Sequence, residues 1–338
     1  MRILLVHNYY KLAGGEEIVV HEEGKILRNA GHDVSLFEVS NDRIDGLASQ
    51  LRVGLNAIYS LSWRRKLREI LIRKKPHVVH VHNFFPLLSP SIYDACADVG
   101  IPVVQTLHNY RLLCPAAQFI RKGRVCEECL ARGPFRGVRY GCYRNSRLQT
   151  LPGALMVAIH KKRRTWYERV NRLIALTEFA REMFIRAGFP PHKLVVKPNF
   201  ITTPVTPRKK LGDYAVFVGR LSAEKGVETL FRAWRELKGM PLKVIGNGPL
   251  LDRARRISPE SVEVLGRKTH EEALSLMSNA LFLVLPSEWY EGFPMVIAEA
   301  MACGVPVLAS RLGAMAEIID DSRTGLLFEP GNARELAG

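Results

Sequence analysis

The 338-residue sequence has no run approaching the roughly 18 to 20 uninterrupted apolar residues of a membrane-spanning helix. Its start, MRILLVHNYY, lacks the apolar core and cleavage site of a secretory signal, so a soluble, cytoplasmic protein is expected. No GxGxxG dinucleotide fingerprint follows the first strand-like run. Acidic residues are few, 33 Asp and Glu against 49 Lys and Arg, giving a formal charge of +16. Cysteine is scarcer still. Of the six, Cys96 and Cys303 sit in Ala-rich apolar surroundings and read as small core residues, and none is expected in a disulfide in a cytoplasmic chain.

What is present is a rhythm. Short apolar runs alternate with helix-like segments: RILLVH, DVSLFEV, HVVHVH and PVVQTL come first, then, from Tyr214 on, YAVFVG, LKVIG, VEVLG, ALFLVLP and VPVLAS. Such alternation predicts parallel sheets covered by helices. With 47% hydrophobic residues and this length, two domains are expected, 1–204 and 205–338, joined by a linker at TTPVTPRKKLGD. Two doubly wound domains would place a cleft between the carboxyl ends of their strands, where ligands bind. The final stretch, EPGNARELAG, reads as a helix just begun, and a truncated carboxyl terminus is expected.

The rhythm breaks at 113–150, a Cys-, Gly- and Arg-rich stretch without a usable period that reads as an insertion, with a helix resuming at Leu151. Within it Cys114, Cys126, Cys129 and Cys142 give C-x11-C-x2-C-x12-C, the arithmetic of a tetrahedral thiolate zinc site. An iron–sulfur cluster or free thiols are the alternatives. Residues 121–172 also hold fourteen Lys or Arg against three Glu. That window is either a solvated face or a surface for an anion: phosphate, nucleic acid or an anionic membrane.

Four stretches carry candidate chemistry. In HNYYKLAGGEE, Gly14 and Gly15 precede a helix, either as a tight turn or as backbone amides for a phosphate. In FVGRLSAEKG, Arg220 and Lys225 ahead of a helix suit a diphosphate. In IGNGP, Gly246 and Gly248 end a strand, either walling a flat ring or making a simple turn. Finally EGFPMVIAEAMACG places Glu291 before a turn, Pro294 in the first helical turn, and Glu299 eight residues after Glu291. Helical geometry separates the two acids by roughly 7 to 9 Å along the axis, too far for a shared proton but suited to the two ends of a hydroxyl-rich ligand, with amides around Phe293 and Met295 between them.

Taken in order, these motifs resemble the retaining glycosyltransferases of family 4, of the two-domain GT-B fold, over almost the whole chain. The resemblance implies that Glu299 binds ribose hydroxyls, Glu291 donor-sugar hydroxyls, Arg220 and Lys225 the diphosphate, and the Gly14–Gly15 amides a phosphate or the acceptor. It implies that His108, in TLHNY, lies near the donor sugar, that the first domain takes the acceptor, and that no catalytic metal is needed. The partners would be a nucleotide diphosphate sugar and a carbohydrate or lipid-linked acceptor in cell-envelope or polysaccharide assembly, met at an anionic membrane surface. Pro198-Asn199 departs from the family pattern, being followed by Phe200-Ile201-Thr202 instead of Gly and an acid. A nucleic-acid-binding protein would explain the basic window and the cysteines but not the Glu291/Glu299 pair or the Arg220/Lys225 loop; a GT-B epimerase or phosphorylase would keep the fold and change the reaction.

Overall fold

The computed structural model describes residues 1–10, 14–41, 47–202, 207–208, 210–237 and 239–338. Part of the expected linker, 203–206 and 209, and part of the first loop, 11–13, lie outside them. The chain divides into two units, Met1–Phe119 with Cys126–Asn199, and Ile120–Val125 with Phe200–Gly338.

The first unit is built on strands β1 (Arg2–Tyr9), β2 (Asp33–Ser40), β3 (Val78–Val81) and β4 (Val103–Leu107), a two-stranded hairpin β5 (Ile120–Arg121) and β6 (Arg124–Val125), then β7 (Arg172–Ala175) and β8 (Leu194–Val196). Its helices are α1 (Gly15–Asn29), α2 (Leu47–Ile58), α3 (Leu61–Lys74), α4 (Ser91–Ala97), α5 (Glu128–Arg132), α6 (Phe135–Tyr140), α7 (Arg147–Lys162), α8 (Thr165–Glu168) and α9 (Glu178–Arg186). Apart from the hairpin, the strands form one parallel sheet in the order β2-β1-β3-β4-β7-β8. Leu4, Leu5 and Val6 run consecutively buried, as a strand covered on both faces requires. The order reverses between β1 and β3, and in such sheets the crevice at that switch point is where ligands bind.

The second unit has β9 (Ala215–Val218), α10 (Val227–Glu236), β10 (Leu242–Ile245), α11 (Leu251–Ile257), β11 (Val262–Gly266), α12 (His270–Ser278), β12 (Phe282–Leu285), α13 (Met295–Ala302), β13 (Val307–Ser310), α14 (Ala314–Ile318), β14 (Gly325–Phe328) and α15 (Ala333–Ala337). All six strands are parallel, ordered β11-β10-β9-β12-β13-β14, with the switch point between β9 and β12. Alternate strand residues feed two separate cores. Val216, Leu283, Leu285 and Val307 pack with α12, α13 and α14, whereas Ala215, Phe217, Val244 and Val284 pack with α10, α11 and α15.

Four expectations need correction. The second sheet has a sixth strand, β14, an edge strand next to β13 whose short, half-exposed GLLF offers no alternation to read. The stretch 113–150 is a set of short elements around buried Cys114, Ala116, Ala117, Phe119 and Cys129. Its hairpin turns on Lys122 and Gly123, both at positive φ, and Gly133 and Gly141 end α5 and α6 before either completes two turns. Next, α7 starts at Arg147, four residues before Leu151, because Ser146 accepts a hydrogen bond from the Gln149 amide; it then breaks at left-handed Arg164 instead of running on to Val170. Pro294 is the cap of α13, one residue before its first turn.

Candidate functional site

At the switch point of the second sheet, the loop after β9 carries Gly219, Arg220 and Lys225, and the loop after β12 carries Ser287, Glu288 and Glu291. The two loops are tied together. The Glu288 amide donates to the Glu224 carbonyl at 2.9 Å, and the Thr229 hydroxyl donates to Glu288 Oε1 at 2.6 Å. Lys225 Nζ lies 2.7 Å from Glu291 Oε1, which also accepts from the buried Ser287 hydroxyl at 2.7 Å. Glu291 is buried and Lys225 lies 5.5 Å from the centroid of the Trp289 ring. The two groups assigned to the sugar and the diphosphate thus form an ion pair, while Arg220 is exposed beside them. Glu299, on α13, accepts from His270 Nε2 at 3.0 Å.

His270 was missed. The signal lay in KTHEE, where Thr269 and Glu272 make a capping box that fixes the start of α12 and so the place of His270 as its first residue. Phe293 and Met295 are half-buried at the entry to α13, whose amino terminus supplies unpaired amides. Gly246 and Gly248 lie where the loop after β10 backs onto the loop after β9: a Cβ at Gly246 would stand 1.8 Å from the Gly219 carbonyl oxygen, and one at Gly248 2.4 Å from that of Leu221. Backbone approach between the two loops is what demands glycine there.

In the first unit, histidines gather at the carboxyl ends of β1, β3 and β4. His82 Nδ1 and His108 Nε2 are 2.9 Å apart. Burial holds His108 at about 3 and His7 at about 4, and drives His82 well below the usual histidine range, with the neighbouring histidines adding to the effect for His82 and His108. His80 contacts Glu23 Oε1 at 2.9 Å and the Thr106 hydroxyl at 2.8 Å. Burial alone would raise the Glu23 carboxyl, but His80 and Lys197, 3.0 Å away, bring it down to about 2. Exposed Gly14 caps α1 and donates its amide to Glu17. The adjacent Glu16 is pushed up to about 8 by burial and by Glu17.

Glu23, His80 and His82 offer three ligand atoms within 4.8 Å of one another and are the sole such group among the described residues. Both His80 nitrogens are occupied and Lys197 already neutralises Glu23, so these two read as a satisfied polar pair, while His82 Nε2 stays buried without a partner among the described residues. Of the four clustered cysteines, the structure brings Cys114 and Cys129 together, which lowers the Cys114 thiol and raises that of Cys129, whose Sγ donates to the Pro134 carbonyl at 3.9 Å, and sets Cys142 near Cys129; Cys126 and Cys142 are half-buried. No three of these sulfurs lie within 4.8 Å of one another. In the basic window, Arg163 and Arg169 reach Asp94 at 3.2 and 3.7 Å, lining with Arg64 and Asp98 a cavity of ≈ 210 Å³.

Two doubly wound units in one chain, the second a parallel six-stranded sheet of order 3-2-1-4-5-6 with a charged, hydroxyl-bearing cluster at its switch point, are what the GT-B fold comprises. The chain belongs to Glycosyltransferase Family 4, whose model matches residues 13–204, and the Glycosyl transferases group 1 model matches residues 212–338. An uncharacterized glycosyltransferase of Methanocaldococcus jannaschii is 40% identical over 131 residues, which are 37% of this chain and 37% of that relative's own length. The alpha-D-kanosaminyltransferase of Streptomyces kanamyceticus is 28% identical over 84% of this chain and 72% of its own. Among solved structures, HepE of Anabaena in complex with UDP superimposes with a TM-score of 0.68 at 18% identity, covering 100% of this chain and 88% of that one.

Proposed function

We propose that the chain transfers a sugar, with retention of configuration, from a nucleotide diphosphate sugar to the hydroxyl of a carbohydrate or lipid-linked acceptor. The observation that carries this reading is the Lys225–Glu291–Ser287 cluster at the switch point of the second sheet, with Glu299 following on α13. Ionised Glu299 accepts from the ribose hydroxyls and Glu291 from those of the sugar. Arg220, Lys225 and the α13 amino terminus meet the diphosphate and stabilise the charge it gains on leaving. The leaving phosphate takes the acceptor proton at the face where the new bond forms. Residues 1–204 receive the acceptor, with the Gly14–Gly15 amides on that side and His108 near the donor sugar, and 205–338 hold the donor. The basic stretch LMVAIHKKRRTWYERV suits a lipid-linked acceptor at an anionic surface.

Thermal-shift titration with UDP, GDP and ADP sugars, beside a short DNA control, tests the reading. A shift with one nucleotide sugar, lost in Glu299→Ala, is expected. A salt-sensitive shift with DNA alone would sink it.

We propose a structural zinc on Cys114, Cys126, Cys129 and Cys142. Support comes from their spacing and from the contact already made by Cys114 and Cys129. About one zinc per chain is expected by elemental analysis of protein purified without chelator, falling to background in Cys126→Ser/Cys129→Ser. A wild-type chain with background zinc that takes none up after reduction would refute the site.

A further inference from the structure

His82 and His108 directly follow neighbouring strands, β3 and β4. Continued past Val81 and Gln105, the register sets His82 across from Thr106, so His108 stands two residues further along its strand and the rings meet diagonally, His82 Nδ1 against His108 Nε2 at 2.9 Å, centroids 5.2 Å apart. The rings are surrounded by His7, His80, Glu23 and Lys197, all of which bear on their charge, and burial keeps both neutral near pH 7. Two neutral rings share this contact in one of two ways. If His108 donates from Nε2, neutral His82 must carry its own proton on Nε2. That atom is buried and has no hydrogen-bond partner among the described residues. An orphaned buried N–H is among the rarest features of folded proteins, and an unused lone pair is better tolerated. If His82 donates from Nδ1 instead, its Nε2 is that lone pair, and His108 must hold its proton on Nδ1.

We infer that His82 is a positioning residue that fixes the tautomer of His108, so that half-exposed His108 presents an N–H donor to an oxygen of the substrate and does not act as a base. This rests on the glycosyltransferase reading only for the identity of that substrate, a sugar donor whose oxygen lone pair accepts the bond. It also leaves the acceptor proton to the departing phosphate.

The test is a long-range 1H–15N correlation spectrum of histidine-labelled full-length protein at pH 8, with His108→Asn supplying the assignment. Wild-type His108 is expected with a protonated Nδ1 and a bare Nε2. His82→Asn, whose amide can still donate, keeps that pattern; His82→Asp, which can only accept, moves the His108 proton to Nε2. A wild-type His108 protonated on Nε2, or a tautomer indifferent to both substitutions, overturns the inference. In transfer assays, kcat falls at least tenfold in His82→Asp and less than threefold in His82→Asn, with KM for the donor little changed. Should His82→Asp fail to fold, the wild-type and His82→Asn spectra still decide. A chain that transfers no sugar would overturn the function and leave the spectrum to judge the tautomer.

Discussion

Glu291→Gln is expected to reduce sugar transfer by about 100- to 1000-fold, the scale on which an active site loses one preorganised charged contact. The amide is nearly isosteric and its oxygen can still accept from Ser287, so the loop after β12 should hold its shape. What disappears is the charge opposite Lys225, 2.7 Å away. Lys225 keeps 19% of its side chain exposed and can turn to water, so the stability cost is modest. Lys225→Met is the harsher change for the fold. It strands a carboxylate that is 6% exposed and keeps the Ser287 hydroxyl as a donor, and leaving a buried charge unpaired costs about 3 to 5 kcal/mol. The double variant should therefore cost less than Lys225→Met alone, a non-additivity that urea denaturation of the three proteins reads directly. Additive costs, or transfer within tenfold of wild type in Glu291→Gln, would remove the pair from the site.

The sequence made some of this architecture plain and hid the rest for physical reasons. Runs such as YAVFVG and ALFLVLP are legible because a central parallel strand is buried on both faces and must be apolar throughout; β14, an edge strand, is under no such demand. Charges in loops between a strand and a helix stand out, as Arg220, Lys225 and Glu291 do, and Glu299 stands out as an acid inside an apolar helical stretch. Their partners do not: the pairing of Lys225 with Glu291, 66 residues apart, follows from the strand order β9-β12, and local spacing carries no information about order in a sheet. The histidines show the same limit. HVVHVH announces His80 and His82, but their contacts with Glu23, Thr106 and His108 come from α1 and β4 and exist only once the strands are side by side. Residues 113–150 resisted for another reason, since elements of five or six residues interrupted by left-handed positions are too short to show a period.

The largest effect on stability is expected from Gly226→Ala. Gly226 caps α10 in the left-handed region, φ 70° and ψ 25°, and a Cβ there would lie 1.8 Å from the Pro286 carbonyl oxygen. Both sides of that contact are backbone, so no rotamer change relieves it. Either the start of α10, next to Lys225, or the exit of β12, next to Ser287, has to move. The left-handed penalty alone is about 1 to 2 kcal/mol, and overpacking a rigid contact adds about 1 to 3 more. A total above about 3 kcal/mol would lower the melting temperature by roughly 6 to 12 °C for a domain of this size. Gly188→Ala separates the two contributions. Gly188 has φ 90° but no described residue within 4 Å of the added Cβ, so its substitution carries the conformational penalty without the clash. Gly226→Ala should also abolish the nucleotide-sugar thermal shift, because the displaced backbone pulls Lys225 from Glu291, whereas Gly188→Ala should preserve it. Equal losses of melting temperature in the two variants would mean that the loops after β9 and β12 are not held in register through Gly226 and Pro286, and that the Lys225–Glu291 pair does not depend on their contact.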